Sequence, residues 1–397
     1  MPRRDCRFLG ALILVTGTAE LWLAWRYFGF LTGDDAEIVA EAFRVATGFR
    51  YRAWDIRCVF VPDTIYAPLV WLGSHAGIAD VRTLVVIATI PSILATAIST
   101  IAVYALAMRW TADRQVARAA AALFALHWIP LGFASTVYPR TIATAAILCA
   151  LLVLETGWPA WIAGALCGLA FADRFSEIVF LVPLLIVARR RAWSVAAGFL
   201  ATVVLIVGLD DYLVWGEWFG SLRNFAALTI VQSDFASRVK HQSVFWYVLM
   251  LPRWISPALW PFFWIARRQW RAAIFVVIPL VALSAIAHKE LRYLAGVVPF
   301  AMLVAAIGFA SMRSRRLAVA LLAIAIVWQL YGLNFLRAKS MAAVEAAQML
   351  GADRQVTTVA MSQLWAYGDR LYVTDRMNVV DLGTPPDLRR LGHPDAV

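Results

Sequence analysis

Five clusters of three arginines punctuate this chain: Arg3/Arg4/Arg7, Arg109/Arg114/Arg118, Arg189/Arg190/Arg191, Arg267/Arg268/Arg271 and Arg313/Arg315/Arg316. Between them run apolar segments long enough to enter a bilayer, where a backbone without water must bond to itself. The only economical solution for such segments is a bundle of membrane-crossing α-helices. The chain is 62% hydrophobic and 15% charged, with a mean hydropathy of +0.72, far outside soluble usage. Its net charge of +11 therefore is no mark of a nucleic-acid partner. Arginine in short loops between spans is the positive-inside signal, so these five loops are read as cytoplasmic.

The clusters fix the threading. Crossing segments are expected at 8–25, 84–107, 119–135, 140–155, 158–172, 175–188, 192–209, 244–266, 272–287, 293–311 and 316–336. Eleven crossings with the N-terminus inside leave every arginine cluster in the cytoplasm and the C-terminus outside. Thr64–Ile78 is also apolar, but a crossing there would invert all later loops; with Pro68 and Gly73 inside it reads as interfacial or re-entrant. The first segment lacks a small-residue cleavage site, carries Glu20 and runs into Trp22, Trp25 and Tyr27. It is read as a retained span rather than a signal peptide.

With that topology the carboxylates sort to one side. Asp5 and Asp113 lie in arginine loops, Glu20 and Glu155 within or at the end of spans, and every other Asp and Glu outside, as do all three lysines, Lys240, Lys289 and Lys339. Chemistry is thus expected at the outer face, in loops 26–83, 136–140, 172–175, 210–243 and 287–292. Cys58 is the lone outer cysteine, so neither a disulfide framework nor a cysteine zinc site is expected. Residues 1–337 read as one membrane domain. Residues 338–397 read as a small outer α/β domain with strands at Val356–Met361, Leu371–Thr374 and Asn378–Leu382.

Two constellations stand out on that face. His288-Lys289-Glu290-Leu291-Arg292-Tyr293 packs several donors and one carboxylate between two apolar runs, a set suited to an anionic ligand. Gly33-Asp34-Asp35-Ala36-Glu37 follows the first span. Such a turn commonly caps a helix, with Asp34 or Asp35 as N-cap and Glu37 in the first turn. Glu37 is assigned that structural role, whereas Asp34 and Asp35 are candidates for a general base.

These stretches resemble the GT-C glycosyltransferases, and within them the polyprenol-phosphate-mannose-dependent α-mannosyltransferases of N-glycan and GPI-anchor assembly. His288-Lys289-Glu290-x-Arg292-Tyr293 is similar to that family's His-Lys-Glu-x-Arg-Phe signature. Thr32-Gly33-Asp34-Asp35 occupies the slot of its His-Pro-Asp-Glu motif, without the His and Pro and with Asp35 in place of Glu. Trp54-Asp55-Ile56-Arg57 with Pro62 through Pro68, Thr136-Val137-Tyr138-Pro139-Arg140 and Gly168 through Arg174 resemble further family stretches, in the family's order. So do Asp211 through Gly216, Asn224-Phe225 and Phe245-Trp246-Tyr247.

The resemblance implies a GT-C-like, all-α polytopic bundle with a long first outer loop. It implies transfer of a sugar, mannose by analogy, from a polyprenyl-phosphate donor to a hydroxyl of a glycan or glycolipid, with inversion. Asp34 or Asp35 would be the base. Lys289, His288 and Arg292 would face the donor phosphate, Glu290 would orient them, and Arg174 or Arg140 would assist. No cofactor is required by this chemistry, although some GT-C enzymes use a metal. The expected location is a bacterial inner membrane with the site toward the periplasm, or a lumen in a eukaryote. Asp-Asp followed by Ile65-Tyr66-Ala67-Pro68-Leu69 is also similar to the protein O-mannosyltransferase and aminoarabinose-transferase branch, but the Lys-Pro-Pro-Leu run of that branch is absent. A transporter or flippase would carry charge within its spans, where only Glu20 sits squarely.

Overall fold

The computed structural model describes residues 3–49, 51, 55–231, 241–266, 269–336, 340–361, 369–373 and 377–382. Trp54, Lys240, Arg267, Arg268, Lys339 and Thr374, singled out above, lie outside these residues. The described chain is overwhelmingly helical. Among the described residues, five stretches are long and apolar enough to cross a bilayer: Arg3–Arg26, Val81–Thr111, Pro139–Thr156, Phe175–Trp215 and Arg315–Asn334. Ala160–Asp173, Trp270–Ala285 and Val298–Ala310 are apolar but shorter.

Several expected crossings are not single rods, and proline or histidine explains the breaks. Segment 119–135 divides into Arg114–Ala125 and Trp128–Phe133. His127 sits at the joint, its Nδ1 receiving the Ile129 N–H at 3.1 Å and its Nε2 lying 2.7 Å from the Trp254 carbonyl. Segment 244–266 is a chain of short turns, Trp246–Leu249, Leu251–Trp254, Pro257–Leu259 and Trp260–Ile265. Pro252, Pro257 and Pro261 each remove a backbone donor there. The long run Phe175–Trp215 turns at Arg189, which takes a positive φ of 52°, between the two crossings expected at 175–188 and 192–209.

Small residues bring the bundle together, as is usual where lipid removes the hydrophobic incentive to pack. A Cβ on Gly164 would lie 1.9 Å from the Val195 carbonyl oxygen, and one on Gly198 would lie 2.0 Å from that of Trp161. Helices Ala160–Asp173 and Ala192–Thr202 therefore touch backbone to backbone.

The long segment after the first apolar helix is a folded layer rather than a tether. Helix α1 (Arg3–Arg26) ends in a turn with Phe28 at φ 55° and Gly29 at φ 72°. A Cβ on Gly29 would meet Val85 Cγ1 at 2.5 Å, so this position needs glycine for both reasons. Arg82 closes the turn, lying over the rings of Trp25 and Phe28 at 4.2 and 4.4 Å and donating to the Trp25 carbonyl. Helix α2 (Gly33–Thr47) follows and ends at Gly48 in the left-handed conformation, whose N–H returns to the Arg44 carbonyl. Helix α3 (Ala67–His75) continues directly from the π-helical turn Pro62–Tyr66; at about 21 Å of rise the two together are still short of a hydrocarbon core of about 30 Å.

The described C-terminal residues cover this layer. Helix Ser340–Ala352 precedes strand β1 (Thr358–Met361), which pairs in parallel with β2 (Asn378–Asp381). Leu371 and Tyr372, expected in a strand, instead belong to the 3-10 turn Asp369–Tyr372. The Tyr372 ring meets Phe28 and Phe30 edge-on, at 5.9 and 6.4 Å between centroids. Val344, Ala347, Val359 and Leu371 share one apolar cluster with Phe30, Val39 and Phe43.

Candidate active site

The start of α2 sets the geometry. Thr32 is the N-cap, so neither Asp34 nor Asp35 takes the capping position expected for one of them. Asp35 supplies the reciprocal half of the cap: its Oδ2 accepts the Leu31 and Thr32 N–H groups at 2.9 and 3.0 Å, and its Oδ1 accepts the Thr32 hydroxyl at 3.0 Å. The side chain is fully buried. Burial pushes its carboxyl up to about 6, against the pull of those donors.

Asp34, one residue earlier, faces three guanidinium groups. Arg57 Nη2 lies 2.5 Å from Asp34 Oδ1, while Arg174 Nη2 and Arg292 Nη1 each lie 3.1 Å from Oδ2. Burial alone would raise this carboxyl, but Arg174, Arg292 and Arg57 outweigh it and hold Asp34 well below the usual carboxylate range. The residues converge from the start of α2, the loop after it, the end of Ala160–Asp173, and the turn Leu291–Leu294. Within this cluster Asp34 is a fixed anion, and the guanidiniums form a planar-donor cage able to grip phosphate.

Around this centre lies a supporting ring. Glu290 pairs with Arg292, and His288 Nε2 lies 3.8 Å from Glu290. Tyr138 donates to the Arg292 carbonyl at 3.2 Å and Tyr247 to that of Glu290 at 3.3 Å, fixing the turn's backbone. Arg140 is one step out: it pairs with Glu177, donates to Ser176 Oγ at 2.9 Å and lies over the Tyr293 ring at 4.5 Å. Arg292 lies 5.6 Å from that same ring.

Of the residues expected to act together, Asp34, Arg174, Arg292 and Glu290 meet. Lys289 does not join them. Its ammonium donates to the Gln242 and Ile286 carbonyls, and the residue is 2% exposed. It ties the segment before the signature to the loop at Gln242, where His241 and His288 also form an antiparallel bridge.

Two residues gain a place that their motifs did not assign. Arg57 is the shortest partner of Asp34. Glu37, expected to be a helix cap, is buried and 2.9 Å from Arg57 Nη2. Burial, with Asp34 nearby adding repulsion, pushes the Glu37 carboxyl up to about 7 despite Arg57. The spacing of Asp34, Glu37 and Glu41 held the signal, since i, i+3 and i+7 fall on one helix stripe. Beside Arg57, Glu37 and Glu41 line a small cleft of about 30 Å³ with Tyr51, Cys58 and Asp173.

The model of the Alg9-like mannosyltransferase family matches residues 50–358. No curated protein matches the chain. Among solved structures, ArnT from Cupriavidus metallidurans bound to undecaprenyl phosphate is similar at a TM-score of 0.67 and 14% identity, over 96% of this chain and 86% of that one. The apo state of the same enzyme gives 0.61 and 14%, over 93% and 85%. An oligosaccharyltransferase from Archaeoglobus fulgidus tethered to an acceptor peptide gives 0.53 and 11%, over 94% of this chain and 63% of that one. These structures share the GT-C fold, which is therefore the fold of this membrane protein.

Proposed function

Because the chain belongs to the Alg9-like mannosyltransferase family, and so is a glycosyltransferase, we propose that it moves a mannosyl group from a polyprenyl-phosphate donor to a hydroxyl of a glycan or glycolipid. The reading places eleven crossings with the N-terminus inside, and the reaction at the periplasmic face of a bacterial inner membrane. The solved structure of ArnT, of similar fold and bound to undecaprenyl phosphate, supports a lipid-phosphate donor here.

The observation that carries the mechanism is the meeting of Arg57, Arg174 and Arg292 at Asp34. A phosphate entering this cage competes with Asp34 for the same N–H donors. As Arg174 and Arg292 turn to the phosphate, Asp34 loses the pull that keeps it a weak base, and its basicity rises when the donor is in place. The acceptor O–H bond then breaks, its proton passing to Asp34. The oxygen bonds to the anomeric carbon from the face opposite the phosphate, so configuration inverts. The carbon–oxygen bond to the phosphate breaks and its electron pair leaves on the phosphate oxygen, where the guanidiniums stabilise the gathering charge. Glu290 and His288 orient Arg292, Arg140 holds Tyr293 against it, and Lys289 anchors the segment.

Purified protein in lipid, supplied with labelled polyprenyl-phosphate mannose and analysed by mass spectrometry, tests the reading. Transfer by the wild type and its loss in Asp34→Asn support it. Failure to consume this donor, with transfer from another polyprenyl-phosphate sugar, would reassign the sugar. Consumption of none would remove the reading.

A further inference from the structure

We propose that the Tyr293 hydroxyl is a donor-binding group of this site and gives its hydrogen bond to a phosphoryl oxygen of the polyprenyl-phosphate donor. The proposal rests on reading the arginine cage as the donor site, and adds to it a neutral partner for the same phosphate.

The ring is held from three sides. The Arg140 guanidinium lies 4.5 Å from its centroid and that of Arg292 5.6 Å, while the centroid of the His288 ring is 5.7 Å away. A guanidinium is attracted to an aromatic face, and each of these has a second hold elsewhere. Arg140 pairs with Glu177, and Arg292 with Asp34 and Glu290. The residues that build the cage therefore also place Tyr293.

Its hydroxyl stands apart from those of its neighbours. Tyr138 and Tyr247, also at this turn, donate to the Arg292 and Glu290 carbonyls. Tyr293 donates to no described residue, and its oxygen is not sealed from solvent. The surroundings explain why. The phenol lies in the field of Arg140, Arg174 and Arg292, and a guanidinium can only donate. The carboxylates whose charge also reaches it, Asp34 and Glu290, already face arginines. Its proton has no acceptor until an anion enters.

A phosphate drawn to Arg174 and Arg292 brings acceptor oxygens among those same guanidiniums. Tyr293 then donates without adding charge, where a further cation would be repelled by the arginines around it. The contact strengthens as the carbon–oxygen bond breaks and charge gathers on the phosphate, so it acts on kcat as well as on donor affinity. A ring that only packed against the arginines would serve equally well as phenylalanine, which makes the oxygen testable.

The test uses the full-length protein in lipid with two probes: labelled polyprenyl-phosphate mannose, and undecaprenyl phosphate, which carries the phosphate but no sugar. Tyr293→Phe keeps the ring and removes only the hydroxyl, and its melting temperature checks that it folds as the wild type does. It is expected to bind undecaprenyl phosphate about tenfold more weakly and to lower kcat/KM for the mannosyl donor by about ten- to a hundredfold, the scale of a hydrogen bond to a charged group. Tyr293→Leu, which also frees Arg140 and Arg292 from the ring, should lose more. Equal affinity of wild type and Tyr293→Phe for undecaprenyl phosphate overturns the proposal and, where the wild type consumes donor, leaves the transferase reading standing. A wild type that consumes no polyprenyl-phosphate sugar overturns the transferase reading instead. The binding comparison then decides the hydroxyl by itself: a tenfold gap upholds the phosphate contact, and no gap, or no binding by the wild type, removes it.

Discussion

Arg292 and Asp34 pair at 3.1 Å although one belongs to the turn before Val298–Ala310 and the other to the first turn of α2. The two most charged motifs of the chain are thereby joined into one site. Asp34 gains from Arg292 a cation that its own motif does not contain, and Arg292 gains a second carboxylate beside Glu290.

Asp34 and Asp35, adjacent in sequence, should separate cleanly by mutation. Asp34→Asn is expected to lower turnover by ~10²–10⁴-fold, the usual cost of losing a general base, in protein that remains inserted. Asp35→Asn weakens the cap of α2 and should chiefly lower the melting temperature, a cap being worth about 1 kcal/mol. Turnover per folded molecule, with folding followed by fluorescence-detected melting, distinguishes them. Full activity in Asp34→Asn with a dead Asp35→Asn would move the base by one residue.

The basic residues of the His-Lys-Glu signature should part in the same way. Arg292→Ala removes a charge-stabilising donor and is expected to depress turnover by about 3–4 kcal/mol of activation free energy, with a higher donor requirement. Lys289→Ala leaves the Gln242 and Ile286 carbonyls without their donor, costing about 1–3 kcal/mol of stability, with turnover per folded molecule largely retained. Donor titration of both variants checks this. A stable Lys289→Ala protein with lost turnover would return Lys289 to the phosphate.

The pH dependence of stability carries the signature of Glu37. Its carboxyl is raised from 4.5 to about 7 in the folded protein, so the unfolded chain releases this proton first. Stability contributed by the protonated form is therefore present below about 4.5, is lost progressively as pH rises to about 7, and changes no further above. Glu37→Gln lacks that loss. Its melting temperature relative to wild type should climb between pH 5 and pH 7 and level off by pH 8. A flat difference across that range would show that Glu37 ionises normally.

Topology is open to a direct check. A periplasmically active reporter fused after residue 340 should be active, and one inserted at residue 190 should be silent. Activity of both from the same side would break the eleven-crossing threading.

Much of this was legible in the chain because charge is scarce in it. Where most residues are apolar, Asp34, Arg174 and Arg292 stand out individually, and their order matches a known set of motifs. What the sequence hid is direction. Lys289 sits inside the most specific motif, yet the extended backbone around Glu290, with φ −140°, turns alternate side chains to opposite sides, leaving Lys289 on carbonyls and Glu290 with Arg292. Glu37 was hidden for the opposite reason: a carboxylate in a first helical turn ordinarily faces water, and only the return of Arg57 across its face buries it. Broken helices such as Trp246–Ile265 were hidden by hydropathy, which averages over prolines.

Tyr372 rests on Phe28 and Phe30, at the turn that delivers Asp34 to the arginines. In chain order the turn comes long before the ring that packs on it. During synthesis Asp34 is therefore made well before the aromatic side chain that braces its turn, and a chain truncated before Tyr372 lacks that brace.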